Sequence, residues 1–430
     1  MTADPNIAFI IFGSLGITLL LGVPIGYALG IATAAALTFT PTPYIYIAQT
    51  LYTGTGLFAL IAIPGFILAG ELMVRSKLTD QIIRVMFVLA GNIKGGLAVC
   101  TFLSCAFFAA LSGSGPATTA AIGSIMIPAM VRAGYPVAWS AAVVASGGTL
   151  GILIPPSNPM IVYAVSANVS VTGLFLAGLI PGILLVALFS VYSWVYGHMT
   201  GLGKSGEPFR MKAFLAALWE GKAAMVMPVL VLGVIYGGLA TPTEAAMLAV
   251  LYASAAGIIS RKLGMKQFIE AMITTGKLTG AVLIIMGPAT AFGRLLTLYG
   301  VPDQIAQTFI SISENPLLIL LLVSLLLIVI GTFMESLSSI VLLTPILLPP
   351  LVQLGVDPVQ FGVLFVVLSQ VGMLTPPLGV NLFVASAVSR TSIEKISLAV
   401  LPLIGLLLVF AFVLIIFPSL STFAYGLVAR

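Results

Sequence analysis

The chain has 430 residues, 60% of them hydrophobic and only 7% charged, where soluble proteins carry about 25% charged residues. Seventeen Lys and Arg with twelve Asp and Glu cannot cover the outside of such a particle in water, so lipid must solvate most of it. One histidine, His198, and two cysteines within one apolar run, Cys100 and Cys105, leave no His/Cys metal site and no disulfide framework, which argues against a zinc or redox enzyme.

At about 20 residues per span, the length holds up to about a dozen membrane helices. Residues 7–39 read as a retained membrane helix, because Asp4 is the only charge before Glu71 and no basic n-region marks a cleaved signal. Further spans are expected near residues 57–74, 173–196, 223–239, 243–259, 278–298 and 398–417. Two amphipathic pieces, residues 80–89 and 211–218 with Trp219, read as helices lying along the cytoplasmic face. Basic residues cluster: Arg75, Lys77, Arg84 and Lys94; Lys204, Arg210, Lys212 and Lys222; Arg261, Lys262, Lys266 and Lys277; Arg390 and Lys395. The positive-inside rule puts those segments in the cytoplasm. From Leu295 to Ser389 there is no Lys or Arg, only Asp303, Glu314, Glu335 and Asp357, so this stretch should touch the cytoplasm little. No basic cluster interleaved with aromatics suggests nucleic acid, and no Gly-x-x-x-x-Gly-Lys-Ser/Thr loop offers a nucleotide site.

Two stretches resist being single spans. Residues 96–131 lie between Lys94 and Arg132 and carry Ser112-Gly-Ser-Gly-Pro116 at their middle, a helix breaker in an apolar setting. They read as a hairpin entering and leaving from the cytoplasm. Residues 316–351 lie between Glu314 and Asp357 with a polar centre at Glu335-Ser-Leu-Ser-Ser339, and read as a hairpin from the opposite face. After the first comes Gly134-Tyr-Pro136, an apolar run and Gly151-Ile-Leu-Ile-Pro155-Pro156-Ser-Asn158. After the second comes Gly355-Val-Asp-Pro358, an apolar run and Gly372-Met-Leu-Thr375-Pro376-Pro377-Leu-Gly-Val-Asn381. The same parts recur in the same order with the hairpins opening to opposite sides, so the repeats are inverted, as in secondary transporters with a site near the midplane.

A Pro-Pro pair removes two backbone donors and strands the carbonyls one turn earlier, each costing several kcal/mol in lipid. Around a cavity such carbonyls form an oxygen cage for dehydrated Na+, helped by the half-helix dipole and nearby hydroxyls. Gly147-Gly148, Gly151 and Gly372 let the backbone open. Ser112 and Ser114 at one tip, and Ser336, Ser338 and Ser339 at the other, bring hydroxyls and helix N-termini suited to an anion. The alternative is that proline and glycine only kink these helices and the hydroxyls bond back to their own turns.

Charges within apolar segments are few. Arg294 follows Gly287-Pro288 and either pairs with a substrate carboxylate in a cavity or snorkels to the outer interface near Tyr299. Glu335 is a proton or ion ligand, or a half-helix cap. Glu244, after Thr241 and Thr243, reads as a helix-capping carboxylate, and Glu71 beside Arg75 as interfacial. An intramembrane enzyme using Glu335 or Glu244 as acid or base is the reading from another class, with one histidine and scattered carboxylates to support it.

At these motifs the sequence resembles the large membrane subunit of tripartite ATP-independent periplasmic (TRAP) transporters. The likeness runs over essentially the whole chain: Gly22-Val-Pro-Ile-Gly26, Ala69-Gly-Glu-Leu72, Leu111-Ser-Gly-Ser114, Gly151 to Ser157, Pro242-Thr-Glu-Ala-Ala246, Met334-Glu-Ser336 and Thr375-Pro-Pro-Leu-Gly379. The resemblance implies an all-α, inverted-repeat elevator transporter of the bacterial inner membrane, not an enzyme. Residues 96–172 and 316–390 would form the transport domain; residues 1–95, 173–315 and 391–430 would supply scaffold and C-terminal helix. It implies a small four-helix membrane subunit, not fused here, and a periplasmic binding protein delivering an organic acid such as sialic acid or a C4-dicarboxylate, with Na+ driving uptake. By position, one Na+ site would use Ser112, Ser114, Gly151, Ile154 and Pro156, and the other Gly331, Gly372, Thr375 and Leu378. Substrate would lie between the hairpin tips, near Arg294, Ser157 and Ser336. A stand-alone Na+- or H+-coupled dicarboxylate or inorganic-anion carrier of similar design is the alternative.

Overall fold

A computed structural model describes residues 5–202, 208–313 and 315–428; Asp4, Lys204 and Glu314 of the charge pattern lie outside them. The described residues are helical, with no strand. The helix expected over residues 7–39 is two, α1 (Pro5–Leu20) and α2 (Ile25–Leu37), because Gly22 turns the chain at φ +77° and Pro24 precedes the second helix without an N–H to continue the first. A short α3 (Ile45–Thr55) follows, and α4 (Ala62–Arg75) is entered through a 3-10 turn, Phe58–Ile61. The first amphipathic piece is α5 (Thr79–Ala90).

The first hairpin is α6 (Gly96–Ser112) and α7 (Gly115–Arg132). Gly113 makes its turn at φ +57°, a backbone region closed to most side chains, and Ser114 caps α7 by accepting from the Ala117 N–H. Next come α8 (Val137–Thr149), a 3-10 turn (Leu150–Ile152), the Pro155-Pro156 break and α9 (Asn158–Ala167). Then follow α10 (Val171–Met199), α11 (Met211–Glu220) and α12 (Lys222–Tyr236), the last two meeting at 77°. Helix α13 (Pro242–Ile259) starts with a capping box: Thr241 Oγ1 accepts from the Glu244 N–H at 3.3 Å, and the Glu244 carboxylate accepts from the Thr241 N–H at 2.7 Å. Glu244 is thereby a structural cap.

Helix α14 (Met265–Leu298) has 34 residues, about 50 Å of rise, where the apolar run alone predicted residues 278–298. Its extra inner turns carry Lys266, Glu270 and Lys277, polar residues that a helix beyond the hydrocarbon keeps and a hydropathy reading cuts off. After α15 (Val301–Ile312) comes the second hairpin, α16 (Pro316–Gly331) and α17 (Ser336–Gln353), then α18 (Pro358–Met373), the Pro376-Pro377 break, α19 (Val380–Ser389), α20 (Ile393–Ile416) and α21 (Ser419–Val428). Among the described residues six helices are long and apolar enough to cross a membrane, or up to eight if each bent pair counts as one span.

The two hairpin units interlock. Beyond its break each half-helix crosses to the other unit: α9 packs on α17, and α19 on α7 and α8. Asn381 fixes this exchange, its Nδ2 donating to the Ala145 carbonyl of α8 at 3.0 Å in a fully buried position. Around them α14 packs on α2, α3, α4 and α17, and α4 on α13. Arg75 clasps α4 to the inner end of α14 by pairing with Glu71 at 3.4 Å and with Glu270.

At the second unit Gly372 of α18 lies against the Gly331 backbone and has no room for a Cβ. Gly372→Ala should destabilise the folded protein by about 1–3 kcal/mol, read as a lower melting temperature in detergent. Gly405→Ala on α20, with open space at its Cβ position, should not.

Candidate functional site

At the first break, Pro155 and Pro156 have no N–H, so the Gly151 and Ile152 carbonyls lose their helical partners. Ser157 repairs one: its hydroxyl donates to Ile152 O and accepts from the Met160 N–H at 3.3 Å, which also caps α9. Gly151 is held against the hairpin tip, where an added Cβ would sit 2.8 Å from both Ser114 O and Thr118 Oγ1. Thr118 Oγ1 lies 3.1 Å from Ser112 Oγ and donates to Ser114 O at 2.8 Å. On the other side of the tip, the Asn158 N–H donates to Gly113 O at 3.2 Å, and Pro156 O faces Gly113. Ser112, Ser114, Gly151 and Pro156 are thus brought together. Ile154 is in the same break, but its side chain packs on Gly182 of α10, so its part falls to its backbone.

The second break has the same construction. The Leu378 N–H donates to Thr332 O of the hairpin tip at 3.1 Å, Gly331 meets Gly372, and Thr375 closes the last turn of α18 by donating its hydroxyl to Val371 O at 2.7 Å and its N–H to Gly372 O at 3.2 Å. Gly331, Gly372, Thr375 and Leu378 therefore converge as well. Each break is bonded by backbone to its own hairpin tip, so tip and break form one rigid knot per repeat.

Between the knots and the outer helices lies a cavity of about 580 Å³. The first tip (Ser112, Ser114, Pro116), Asn158 and the second tip (Glu335, Leu337) line one side; Ile67, Gly70 and Glu71 of α4 and Leu278 to Ile285 of α14 line the other. Among the described residues no Lys or Arg lines it. Its polar groups are hydroxyls, the two carboxylates, Asn158 and the N-terminal turn of α7. Ser157 is fully buried in its capping role, and Ser336 is buried behind the second tip with no partner for its hydroxyl; neither reaches the cavity wall. Arg294 is not brought to the tips at all. It lines a separate cavity of about 660 Å³ farther along α14. Glu71, read from sequence as interfacial, lines the tip cavity while paired to Arg75.

Two asparagines end the two repeat motifs, and the sequence reading gave them no role. Asn158 and Asn381 follow the two Pro-Pro pairs, one at a tip and the other pinning the repeats together, and both keep a buried Oδ1 without a partner. Their recurrence just beyond each break was the available signal.

Residues 12–420 match the family described as Tripartite ATP-independent periplasmic transporter, DctM component. The chain belongs to that family. It is 43% identical over 419 residues to the isethionate TRAP transporter permease protein DctMQ of Oleidesulfovibrio alaskensis, covering 97% of this chain and 66% of that one. It is 37% identical over 396 residues to the C4-dicarboxylate TRAP transporter large permease protein DctM of Pseudomonas aeruginosa, covering 92% of each. In fold, 87% of the chain superposes on 87% of the YdaH transporter of Alcanivorax borkumensis, with a TM-score of 0.64 at 17% identity. The protein is a TRAP large permease, a multi-pass transporter subunit of a bacterial inner membrane and not an enzyme; TRAP systems are three-part assemblies.

In this permease Ser157 serves two backbone groups at once. Ser157→Ala should cost about 1–2 kcal/mol, seen as a lower melting temperature of the purified permease, because Ile152 O and the Met160 N–H lose their common partner.

Proposed function

We propose that this permease imports a small organic acid with Na+, working with a small four-helix membrane subunit and a periplasmic binding protein that delivers the acid. The observation that carries this reading is the tip cavity: two hairpin tips and a broken helix face α4 and α14 across a mainly apolar space of about 580 Å³ whose polar groups are hydroxyls, carboxylates and a helix N-terminus, with no basic side chain among the described residues. The printed names of its relatives, for isethionate and for C4-dicarboxylates, support a small anionic acid as cargo.

The cavity's charge supplies a coupling mechanism. Glu335, with the Glu71–Arg75–Glu270 group that sets two carboxylates against one guanidinium, repels an anion, so the empty site discriminates against acid alone. Na+ held at the first knot by Ser112, Ser114 and the Gly151, Ile154 and Pro156 carbonyls, and at the second by Gly331, Gly372, Thr375 and Leu378, offsets that repulsion. The acid then binds against the N-terminal turn of α7, whose amides and dipole favour a carboxylate or sulfonate. Ordered binding of this kind ties the acid to the ion. Each net positive charge moved inward gains about 2.3 kcal/mol per 100 mV, so one or two excess Na+ accumulate the acid without nucleotide. Residues 96–172 and 316–390, tied by the exchange of α9 and α19, move as one transport domain against the frame of α4, α13 and α14.

Reconstituted with its two partners in vesicles, the permease should take up acid only when Na+ is present outside. Uptake that ignores Na+ counts against the proposal. Thr375→Val, which keeps shape but removes the hydroxyl, should weaken the Na+-dependent rise in melting temperature about tenfold in Na+ concentration, since a lost ligand oxygen is worth about 1–2 kcal/mol; an unchanged Na+ titration removes Thr375 from the site.

A further inference from the structure

The basic side chains mark the cytoplasmic side with one exception. Helix α14 starts beside Arg261, Lys262 and Lys266, and Arg294 stands near its far end, about 43 Å along its axis. Among the described residues it is the only Lys or Arg toward the outer face. A cation there runs against the positive-inside rule and has to be stabilised locally.

Its surroundings are unfinished. Arg294 donates to Thr53 Oγ1 at 3.3 Å, and among the described residues no carboxylate lies within ion-pair distance of it. The side chain opens into the cavity of about 660 Å³ bounded by α3, α9, α14 and α17. Two hydroxyls on the walls of that cavity, Tyr46 on the side of α3 and the fully buried Thr344 on α17, have buried oxygens with no hydrogen-bond partner. A guanidinium without a carboxylate, and two hydroxyls buried in the same cavity's walls without a partner among the described residues, are a donor set awaiting an acceptor.

This cavity and the tip cavity lie on the same helix. Leu278 to Ile285 of α14 face the tips, and Met286 to Leu298 face the outer space. From Ala281 to Arg294 is about 20 Å of rise, so one acid cannot touch both places at once.

We infer that the outer cavity is a second, separate anion site, in which Arg294, with the Tyr46 and Thr344 hydroxyls, receives the carboxylate or sulfonate of the acid before it reaches the hairpin tips. This rests on the reading of the protein as an acid importer. Arg294 is then a receiving residue for acid arriving from outside. It takes no part in the Na+ knots.

Cysteine labelling from the outer side tests this without Na+ or turnover, so its result is independent of any uptake assay. Cys100 and Cys105 are buried, which leaves Ser166→Cys, on the wall opposite Arg294, as the reactive thiol. Spheroplasts carrying that variant are treated with an anionic reagent, 2-sulfonatoethyl methanethiosulfonate, or its cationic trimethylammonioethyl counterpart, and labelling is read by intact mass. The anionic reagent should react about tenfold faster or more, as expected where a charge-lined cleft concentrates counter-ions. Millimolar succinate or isethionate should slow it, while sodium chloride at matched ionic strength should not. Adding Arg294→Gln should abolish both the preference and the protection, and Arg294→Lys should keep the preference. Equal rates for the two reagents, no labelling, protection by chloride alone, or a preference that survives Arg294→Gln would each overturn the inference.

Discussion

Everything distinctive in this molecule follows from one constraint: a backbone carbonyl in the bilayer has no water to bond to. Two Pro-Pro pairs break that rule on purpose, and the fold answers each with a hairpin tip delivered to the break. Asn158 N–H to Gly113 O and Leu378 N–H to Thr332 O dock each break on its tip, while the stranded Ile152 and Gly372 carbonyls accept from the Ser157 hydroxyl and the Thr375 N–H. Ser157 completes the first break and Thr375 the second, by different routes, one capping the half-helix that follows and one closing the helix that precedes. What remains is a small set of oxygens clustered at tip and break.

The same economy shapes the charges. A membrane interior tolerates an ion only where something compensates it, and the charges at the helix ends and cavities here differ in what stands beside them. Arg75 has two carboxylates, Glu244 has a helix N-terminus, Glu71 has Arg75, and Glu335 faces the open tip cavity. Arg294 has only Thr53. Set side by side, these assignments separate residues that build the frame from residues left to meet cargo, which a plain count of intramembrane charges does not do.

Much of the architecture was legible in the sequence because it was written in breakers and charge. The hairpins showed through Ser112-Gly-Ser-Gly-Pro116 and the polar centre at Glu335, and the repeats through the two Pro-Pro pairs. Glu244 read correctly as a cap because Thr241 stands three residues before it. The reading failed where hydropathy was the only guide: Gly22 and Pro24 divide what looked like one helix, and α14 extends well before its apolar stretch. It also failed where proximity depends on tertiary crossing. Nothing local to Arg294 says that it lies about 20 Å along α14 from the tips, and nothing local to Asn381 says that it bonds to Ala145 of the other repeat.

That last bond spans the two repeats. Neither repeat buries its own final half-helix; α9 rests on α17 and α19 on α7, so each half is completed only by its counterpart. Cut between α15 and α16, the chain would leave the last half-helix of each part without the surface it packs on, so the packing of the two repeats makes them one cooperative body.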